Sequence, residues 1–430
     1  SAQIPKQSLS FRSCLISLNY PLFMKLFLPF LTGICLFAHI GFVQAKITGF
    51  HLIGNAKSVK IPVEIQHNVV LIPVRINGSA ELNFILDTGV KTTILTEPIM
   101  TQVLSLDSIS KIKVRGLGTG DAIDAGLARD VNMSLPGVKG KGINLIVLPE
   151  GVISYSGMFG KPVFGILGYE LFGQFTIEVN YQQKYIRISD PFRFRPGRKW
   201  DSIPIDIRAS KPYVRATLTD YRGEKIKADW LLDTGASLAI SLFDEKLPIP
   251  DPSVQAFLGQ GLSGGVYGRL GRSMSLNFGG YMFEDIVTGY PDSASLNLLP
   301  AKSQWYGNIG AEVISRFRVI FDYPNERLLI RKTFDFRKPF DYNVSGLEVL
   351  SIGEDFDRFV ISYVRPQSPA YHAGIKVGDQ ILGINGMMVD GAKIDDLYGS
   401  ILRKTGKALS LKIRRNGKVM RIRFRLESEI

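Results

Sequence analysis

Two copies of the tripeptide Asp-Thr-Gly are the residues of this sequence best placed to do chemistry. They occupy positions 87–89 and 233–235, and each follows three large apolar residues. A buried strand that delivers a carboxylate into a tight glycine turn is costly to build even once. Because the sequence builds it twice, we expect the carboxylates of Asp87 and Asp233 to face one another.

Two facing carboxylates predict acid–base chemistry on a single water molecule. Like charges held that close cannot both ionise, so the pair shares one proton. The ionised partner takes a proton from the water while the protonated partner polarises a carbonyl, and a tetrahedral diol forms without a covalent intermediate. Gly89 and Gly235 would let backbone N–H groups approach the two carboxylates.

The two halves of the chain repeat one another well beyond the tripeptides. Residues 165–188 align without a gap with residues 307–330, an offset of 142 (307 − 165), and the aspartates are offset by 146 (233 − 87). A hairpin signal precedes each aspartate, Asn77-Gly78 being the clearer one. A repeat this long indicates duplicated lobes, and short, regularly spaced strands predict that both are mainly β.

These features closely resemble the retropepsin-like (pepsin-clan) aspartic proteases. In that family two similar β lobes each supply one Asp-Thr-Gly, and a later apolar-apolar-Gly motif packs beside it. Residues 166–168 and 308–310 fit the later motif, with Asn308 in place of its usual apolar first residue. The resemblance covers roughly residues 60–332 and implies two acid-protease β-barrel lobes.

The same resemblance assigns residues that support the dyad and cover the cleft. Thr88 and Thr234 would hydrogen-bond across the interface and hold the two loops rigid. A Gly-rich stretch follows each aspartate by 29 residues (116 − 87) and 26 residues (259 − 233), where a mobile flap would sit, although ordinary Gly-rich hairpins are the alternative. The site residues expected are catalytic Asp87 and Asp233; dyad support Thr88, Gly89, Thr234 and Gly235; and flap candidates Gly116, Gly118, Gly259 and Gly261.

The residue after each Asp-Thr-Gly bears on the acidity of the dyad. Pepsin-like enzymes usually have Ser or Thr there, which donates a hydroxyl to the carboxylate, whereas this chain has Val90 and Ala236. With fewer donors to stabilise the charged form, the dyad should be less acidic. We therefore predict a pH optimum in the mildly acidic to neutral range.

The C-terminal part of the chain carries a different signature. Residues 364–386 resemble the core of a PDZ domain of the bacterial protease-associated type, and 393–404 have helical periodicity. In PDZ domains a peptide C-terminus adds as a strand beside that helix, its carboxylate held by backbone N–H groups. The resemblance places the carboxylate loop at Ser345, Gly346 and Leu347, with Ser345 where the family usually has an apolar residue. A module that only packs on the protease lobes is the alternative.

The first 45 residues are interpreted as an upstream extension and a signal peptide. This stretch has the layout of a secretory signal: Lys25, an apolar run over 26–43 and a small-residue exit at Ala45. An uncleaved membrane anchor is the rival interpretation. Both cysteines, Cys14 and Cys35, lie in this leader, so disulfides and thiol chemistry are not expected after cleavage. We expect cleavage after Ala45 and a secreted or periplasmic protein.

Composition and spacing argue against other classes. The net charge of +13 includes one cluster over 412–425, whose alternation predicts a hairpin with a solvated charged face rather than a nucleic-acid or anionic-membrane site. Residues 116–120 lack the third glycine of a dinucleotide loop, and the Gly-x-Ser-x-Gly at 261–265 lacks a suitable later histidine. The three histidines after the leader form no His-x-x-x-His pair, so no metal or other cofactor is expected.

The sequence thus predicts an aspartic endopeptidase whose single chain supplies both aspartates. Its partners would be a peptide or protein substrate and a C-terminal peptide at the PDZ domain, with no nucleic acid and no membrane contact except through an uncleaved leader. The alternative is a catalytically inactive envelope adaptor that binds peptide C-termini. The predicted domains are the leader (1–45), an N-terminal lobe (46–192), a C-terminal lobe (193–335) and the PDZ domain (336–430).

Overall fold

The structure is a computed structural model that describes residues 48–106, 109–244, 246–297, 306–402 and 405–430. The predicted leader, with Cys14 and Cys35, lies outside these residues. Within them, no helix has the length and apolar character needed to cross a membrane.

The N-terminal lobe is built from short strands and three one-turn helices. Its strands are β1 (Gly49–Leu52), β2 (Ser58–Pro62), β3 (Glu64–Gln66), β4 (Val69–Ile76), β5 (Leu82–Leu86), β6 (Thr93–Leu95), β7 (Ser110–Val114), β8 (Ile123–Leu135), β9 (Val138–Val147), β10 (Gly165–Leu167), β11 (Thr176–Asn180) and β12 (Tyr185–Ser189). Its helices are α1 (Met100–Val103), α2 (Ser156–Phe159) and α3 (Tyr169–Phe172).

The C-terminal lobe repeats this plan. Its strands are β13 (Asp201–Arg208), β14 (Lys211–Thr219), β15 (Lys225–Asp233), β16 (Ile240–Leu242), β17 (Val254–Gly261), β18 (Gly264–Phe278), β19 (Tyr281–Pro291), β20 (Gly307–Gly310), β21 (Phe317–Asp322) and β22 (Arg327–Lys332). Its helices are α4 (Ser293–Leu296) and α5 (Ala311–Ile314), with 3₁₀ turns at Tyr323–Asn325 and Phe334–Arg337.

Each lobe contains a closed six-stranded barrel. In the first, β4, β5, β10, β6, β9 and β8 pair in that order and β8 returns to β4. In the second, β14, β15, β20, β16, β19 and β18 do the same and β18 returns to β14. The two barrels confirm the predicted fold of paired acid-protease lobes.

Local sequence explains the hairpins that carry the aspartates. Asn77 and Gly78 have φ of +48° and +81°, the left-handed pair that a tight two-residue turn requires. The turn joins β4 to β5 with Val74 opposite Leu82, so the apolar run of β5 enters the barrel and ends at Asp87. In the second lobe Gly223, with φ +86°, turns β14 into β15.

A third sheet joins the lobes and sets their spacing. Its strands follow the order β13, β22, β21, β11, β12 and β2, so each lobe supplies three. At its centre β11 pairs antiparallel with β21, Ile177 lying opposite Phe321. Both side chains are buried, and Phe172 packs edge-on against Phe321 at 5.4 Å between ring centres. The lobes are therefore held by continuous backbone pairing as well as by packing.

The PDZ domain has a separate apolar core. It comprises β23 (Leu347–Ile352), β24 (Arg358–Val364), α6 (Pro369–His372), β25 (Gln380–Ile384), β26 (Met387–Met388), α7 (Ile394–Ile401), β27 (Ala408–Arg415) and β28 (Lys418–Arg425). The sheet order is β23, β24, β25, β27, β28, and β26 pairs with β25. The predicted charged hairpin is β27–β28, with Lys412 opposite Arg421.

The connection from the C-terminal lobe to the PDZ domain is held by Arg316. This side chain is 4% exposed as a residue, and its guanidinium donates to the carbonyl oxygens of Phe336, Lys338 and Pro339. It also lies 3.6 Å from the ring centre of Phe340. Several bonds to one buried cation fix the path of the chain just before the PDZ core begins.

Candidate active site

Asp87 and Asp233 lie where a barrel strand ends beside a parallel neighbour. The amide of Asp87 donates to the carbonyl of Leu167 at 3.0 Å, and Asp233 lies opposite Gly310 in the β15–β20 pair. A Cβ atom on Gly168 or Gly310 would overlap a backbone carbonyl of the adjacent aspartate loop. The final glycine of each later motif therefore lets that strand pass directly behind an aspartate.

Thr88 and Thr234 join the two loops through reciprocal hydrogen bonds. The Thr88 hydroxyl donates to the Leu232 carbonyl at 2.6 Å and accepts from the Thr234 amide at 3.0 Å. The Thr234 hydroxyl donates to the Leu86 carbonyl at 2.9 Å and accepts from the Thr88 amide at 3.1 Å. Both threonines are 1% exposed, so these bonds are made in a water-free interface.

The two carboxylates converge on the space between the Asp-Thr-Gly turns of the two lobes. A Cβ atom on Gly89 would lie 3.1 Å from Oδ1 of Asp87 and 3.2 Å from Oδ1 of Asp233. A Cβ atom on Gly235 would lie 2.5 Å from Cγ of Asp87. A larger residue at position 235 would therefore collide with Asp87 of the other lobe, and one at position 89 would fit tightly between the two aspartates. The arrangement brings together all six residues that the sequence assigned to the dyad and its support.

Asp233 is surrounded by hydrogen-bond donors. Its Oδ1 accepts from the amides of Gly235 at 3.0 Å and Ala236 at 3.1 Å, and its Oδ2 accepts from Nδ2 of Asn308 at 2.9 Å. The sequence marked Asn308 only as a departure from an apolar motif, and its contact with the dyad was missed. The sequence feature that could have indicated this contact is a polar residue at a position that the repeat places inside a barrel.

Asp87 lies in a poorer environment for a charge. Its Oδ1 accepts from the Gly89 amide at 2.6 Å. Burial, and secondarily the negative charge of Asp233, raises the pKa of Asp87 to about 8. Asp87 is therefore suited to hold a proton at neutral pH.

Two buried tyrosines that the sequence did not single out are influenced by the charges of the dyad. Burial, reinforced by the charges of Asp87 and Asp233, raises the pKa of Tyr155 and Tyr323 above the ordinary range. Tyr155 packs in an apolar cluster with Val90 of the aspartate loop and other N-terminal-lobe side chains. These side chains lower the local polarity, which strengthens electrostatic interactions with a substrate.

The two Gly-rich segments meet one another over the cleft. The loop between β7 and β8 in the N-terminal lobe pairs with the tip of the β17–β18 hairpin in the C-terminal lobe. The Ser263 amide donates to the Leu117 carbonyl at 2.9 Å, and the Ser263 carbonyl accepts from the Gly120 amide at 2.7 Å. The Ser263 hydroxyl accepts from the Gly116 amide at 3.2 Å. Ser263 is 3% exposed, so the tips are closed on each other.

Three of the four flap candidates lie in this contact. A Cβ atom on Gly116 would lie 2.6 Å from Cβ of Leu262. A Cβ atom on Gly118 would lie 2.5 Å from the carbonyl carbon of Ser263. On Gly261 it would overlap the backbone of the opposite loop. Gly259 has open space around it and a φ of +142°, at an irregularity in β17. Its role is to bend the hairpin rather than to admit the other tip.

Ser345 and Gly346 lead into β23, which begins at Leu347, and the N–H groups of all three residues have acceptors within the domain. The Ser345 amide donates to Oδ1 of Asn343 at 3.1 Å, and the Gly346 amide donates to the Asn343 carbonyl at 3.4 Å. The Leu347 amide donates to the Ser345 hydroxyl at 3.2 Å. A ligand carboxylate at this loop would have to displace these bonds.

The edge of β23 that a peptide strand would join is also occupied. The hydroxyl of Tyr398, on α7, accepts from the Val349 amide at 3.2 Å, and its own proton lies within reach of Oε2 of Glu348 at 3.1 Å and of the Val349 carbonyl at 3.2 Å. The N-terminal lobe also contacts the groove near Gly160. A Cβ atom on Gly160 would lie 2.9 Å from Cγ2 of Ile394 and 3.2 Å from the Ser351 hydroxyl. The groove between β23 and α7 thus holds a segment of the chain itself.

Comparison with known families matches two parts of the chain. Residues 72–171 match a family model described as aspartyl protease, and residues 360–415 match one described as PDZ domain. A search of curated proteins found no match. Across the described ranges, no group of three or more His, Cys, Asp or Glu side chains is placed to hold a metal ion.

Proposed function

We propose that this chain, which combines an aspartyl protease domain with a C-terminal PDZ domain, is an aspartic endopeptidase. The observation that carries the proposal is the convergence of Asp87 and Asp233 from duplicated loops that Thr88 and Thr234 lock together. A single chain supplies both halves of the site. Because the sequence predicts a signal peptide, we further propose that the protein is secreted or periplasmic.

The geometry supports the following reaction. An extended peptide lies beneath the flap tips, which bind its backbone and keep solvent out. Asp233, as carboxylate, takes a proton from a water held between the two side chains, and that water attacks the peptide carbonyl. Asp87 gives its proton to the carbonyl oxygen, so a neutral tetrahedral diol forms. Asp233 then gives its proton to the amide nitrogen while a hydroxyl of the diol returns a proton to Asp87, so the C–N bond breaks, the acid and amine products leave and the dyad is restored.

The adaptor alternative needs an accessible peptide groove on the PDZ domain. In this structure the β23 edge is bonded to Tyr398 and Ser345, and Gly160 lies against the groove. Capture of a C-terminal peptide, as substrate or partner, therefore requires displacement of these groups, and it stays a prediction. The intact dyad and its threonine lock favour catalysis as the primary function.

The pH dependence of hydrolysis tests the proposal. We expect cleavage of an unfolded protein at mildly acidic to neutral pH, with kcat/KM falling near pH 8 because Asp87, whose pKa is raised to about 8, loses its proton there. A peptide carrying a tetrahedral secondary alcohol in place of the scissile amide should inhibit competitively, since it resembles the diol. Activity that peaks below about pH 3, or hydrolysis at no pH, would contradict the assignment.

A further inference from the structure

We propose that Asn308 is a positioning residue that increases the difference between the two aspartates, favouring Asp233 as the ionised partner and Asp87 as the partner that holds the proton. The proposal rests on the proposed function and assigns the roles within that site. Asn308 acts through Asp233, because its Nδ2 lies 2.9 Å from Oδ2 of that carboxylate.

The duplicated fold supplies an internal comparison for Asn308. Its counterpart in the first lobe is Ile166, which lies opposite Ile85 in a parallel pair just as Asn308 lies opposite Leu231. Ile166 is 5% exposed and Asn308 is 3% exposed, so both positions are interior. An amide buried at an apolar position is costly unless it is hydrogen-bonded, and a charged acceptor gives the strongest compensation.

The donor count is unequal even without Asn308. Among the residues that the structure describes, Asp233 accepts from two backbone amides and Asn308, whereas Asp87 accepts from the Gly89 amide. Hydrogen bonds to the ionised form of a carboxylate favour that form. Oδ1 of Asn308 is buried without a hydrogen-bond partner in the described part of the chain, so the carboxylate alone orients the amide. With its N–H end towards Oδ2, the amide matches an ionised Asp233.

The swap variant Ile166→Asn/Asn308→Ile exchanges the two side chains between the lobes. Comparing it with Asn308→Ile alone tests this role. We expect Asn308→Ile to move the acidic limb of the pH–kcat/KM profile up by about one pH unit, because a donor to the ionised dyad is lost. The alkaline limb should move little, since the lost bond stabilises both the singly and the doubly charged dyad. The swap should bring the acidic limb back, with the donor now on Asp87. If both variants lose rate equally at every pH and neither limb moves, Asn308 has only a packing role.

A second measurement does not depend on turnover. Carboxyl ¹³C NMR of aspartate-labelled protein, assigned with Asp87→Asn and Asp233→Asn, reports which side chain is ionised at neutral pH. We expect the ionised signal to belong to Asp233 in the wild type and to be shared between Asp233 and Asp87 in the swap variant, where each carboxylate would accept from two donors. An ionised Asp87 in the wild type would overturn the proposal, even if the protein hydrolysed nothing and the proposed function failed.

An independent observation concerns the PDZ domain, which touches both sides of the closed cleft. On the N-terminal lobe, His67 packs edge-on against Tyr398 of α7 at 4.7 Å between ring centres. On the C-terminal lobe, the ring of Tyr363 in β24 lies 6.3 Å from Phe257 and 6.2 Å from Tyr267. We infer that this aromatic contact of Tyr363 with Phe257 and Tyr267 resists opening of the flap.

The aromatic contact reaches the cleft through the β17–β18 hairpin. Phe257 and Tyr267 lie opposite each other in that hairpin, whose tip carries Ser263 and its bonds to the other lobe. Substrate entry requires the tips to part and the hairpin to lift. Because Tyr363 belongs to a domain that also rests on the N-terminal lobe, lifting the hairpin must either break the ring contacts or carry the PDZ domain away.

A disulfide between Gly157→Cys and Leu350→Cys would hold the PDZ domain on the N-terminal lobe. A Cβ atom on Gly157 lies 3.8 Å from Cβ of Leu350, a separation that suits a disulfide. With Cys14 and Cys35 replaced by Ser, we expect the oxidised protein to cleave a protein substrate about tenfold more slowly than the reduced one. Adding Tyr363→Ala to the locked protein should restore the rate. The two single-cysteine variants are the controls.

Two outcomes would overturn this second proposal. An oxidised protein as fast as the reduced one would show that the PDZ domain stays docked during turnover, and a locked protein unaffected by Tyr363→Ala would exclude the aromatic contact. Amide hydrogen exchange at Gly116, Gly120 and Ser263 gives a readout without hydrolysis. We expect slower exchange in the oxidised form and faster exchange after Tyr363→Ala, so the proposal can fail or hold separately from the protease assignment.

Discussion

Asp87→Asn and Asp233→Asn are each expected to lower kcat/KM for peptide hydrolysis by at least about 10³-fold. Asparagine at 233 cannot take a proton from water, and asparagine at 87 cannot give one to the carbonyl and recover it. The two losses should not add in the double variant, because one missing partner already disables the shared site. Initial rates on a peptide taken from the wild-type cleavage products would measure the effect.

The fold should survive these changes, which separates loss of chemistry from loss of structure. Asparagine has the shape of aspartate, and its oxygen can still accept from the Gly89 or Gly235 amide. Asp229→Asn is a matched control, since Asp229 lies in β15 four residues (233 − 229) before Asp233 but pairs with Arg208 and Arg215 on the surface. It should retain wild-type activity. Equal inertness of wild type and both dyad variants would favour the adaptor.

The stability of Asp87→Asn should also depend less on pH. The folded-state pKa of Asp87, raised to about 8, lies above its unfolded value, so the folded chain binds a proton that the unfolded chain releases. Its contribution to stability is therefore full below the unfolded pKa and declines as pH rises to about 8. Removing the titrating group removes that slope, which thermal unfolding of both proteins at several pH values would measure.

The sequence was informative where a short motif sets local geometry. Asp-Thr-Gly specifies a turn at a strand end, and its duplication predicts two barrels. The β4–β8 and β14–β18 pairings close these barrels, and the threonine bonds join their aspartate loops. The glycines at 116, 118 and 261 were recognisable as a Gly-rich pattern, but their fit against the opposite tip depends on two lobes in contact. No single segment contains that information.

Residues whose role depends on tertiary register were less predictable. Asn308 reaches Asp233 only because parallel pairing places it opposite Leu231, two residues before the aspartate. Whether the PDZ loop can bind a ligand carboxylate likewise depends on Ser345. Its hydroxyl accepts a hydrogen bond from the Leu347 amide, the donor that such a carboxylate would need. A sequence pattern marks both as polar residues at apolar positions. It does not say which partner satisfies them.

We expect Thr88→Val to loosen the dyad and to destabilise the protein, although it leaves the packed volume of the interface unchanged. Valine keeps the volume of threonine but leaves the Leu232 carbonyl and the Thr234 amide, both buried, without their partner. Each unpaired buried group costs about 1–3 kcal/mol, so for the two groups we expect a loss of about 2–6 kcal/mol in the free energy of unfolding. Urea unfolding beside the wild type would measure it.

The matched control is Thr88→Ser, which keeps the hydroxyl and both hydrogen bonds while losing a methyl group. We expect it to remain within about 1 kcal/mol of the wild type, whereas Thr88→Val should also lower kcat by about 10–100-fold, because small displacements of catalytic groups are costly. Valine and serine variants of equal activity and stability would show that the hydroxyl does not hold the loops.

Thr234→Val extends this test to the second half of the lock. The two hydroxyls make separate bonds, Thr88 to Leu232 and Thr234 to Leu86, so independent action would make their stability losses add in the double variant. We expect less than the sum, because either valine already lets the two aspartate loops part and weakens the bonds of the remaining threonine. Sub-additive losses of both stability and kcat would identify the threonine pair as one cooperative element that positions both carboxylates.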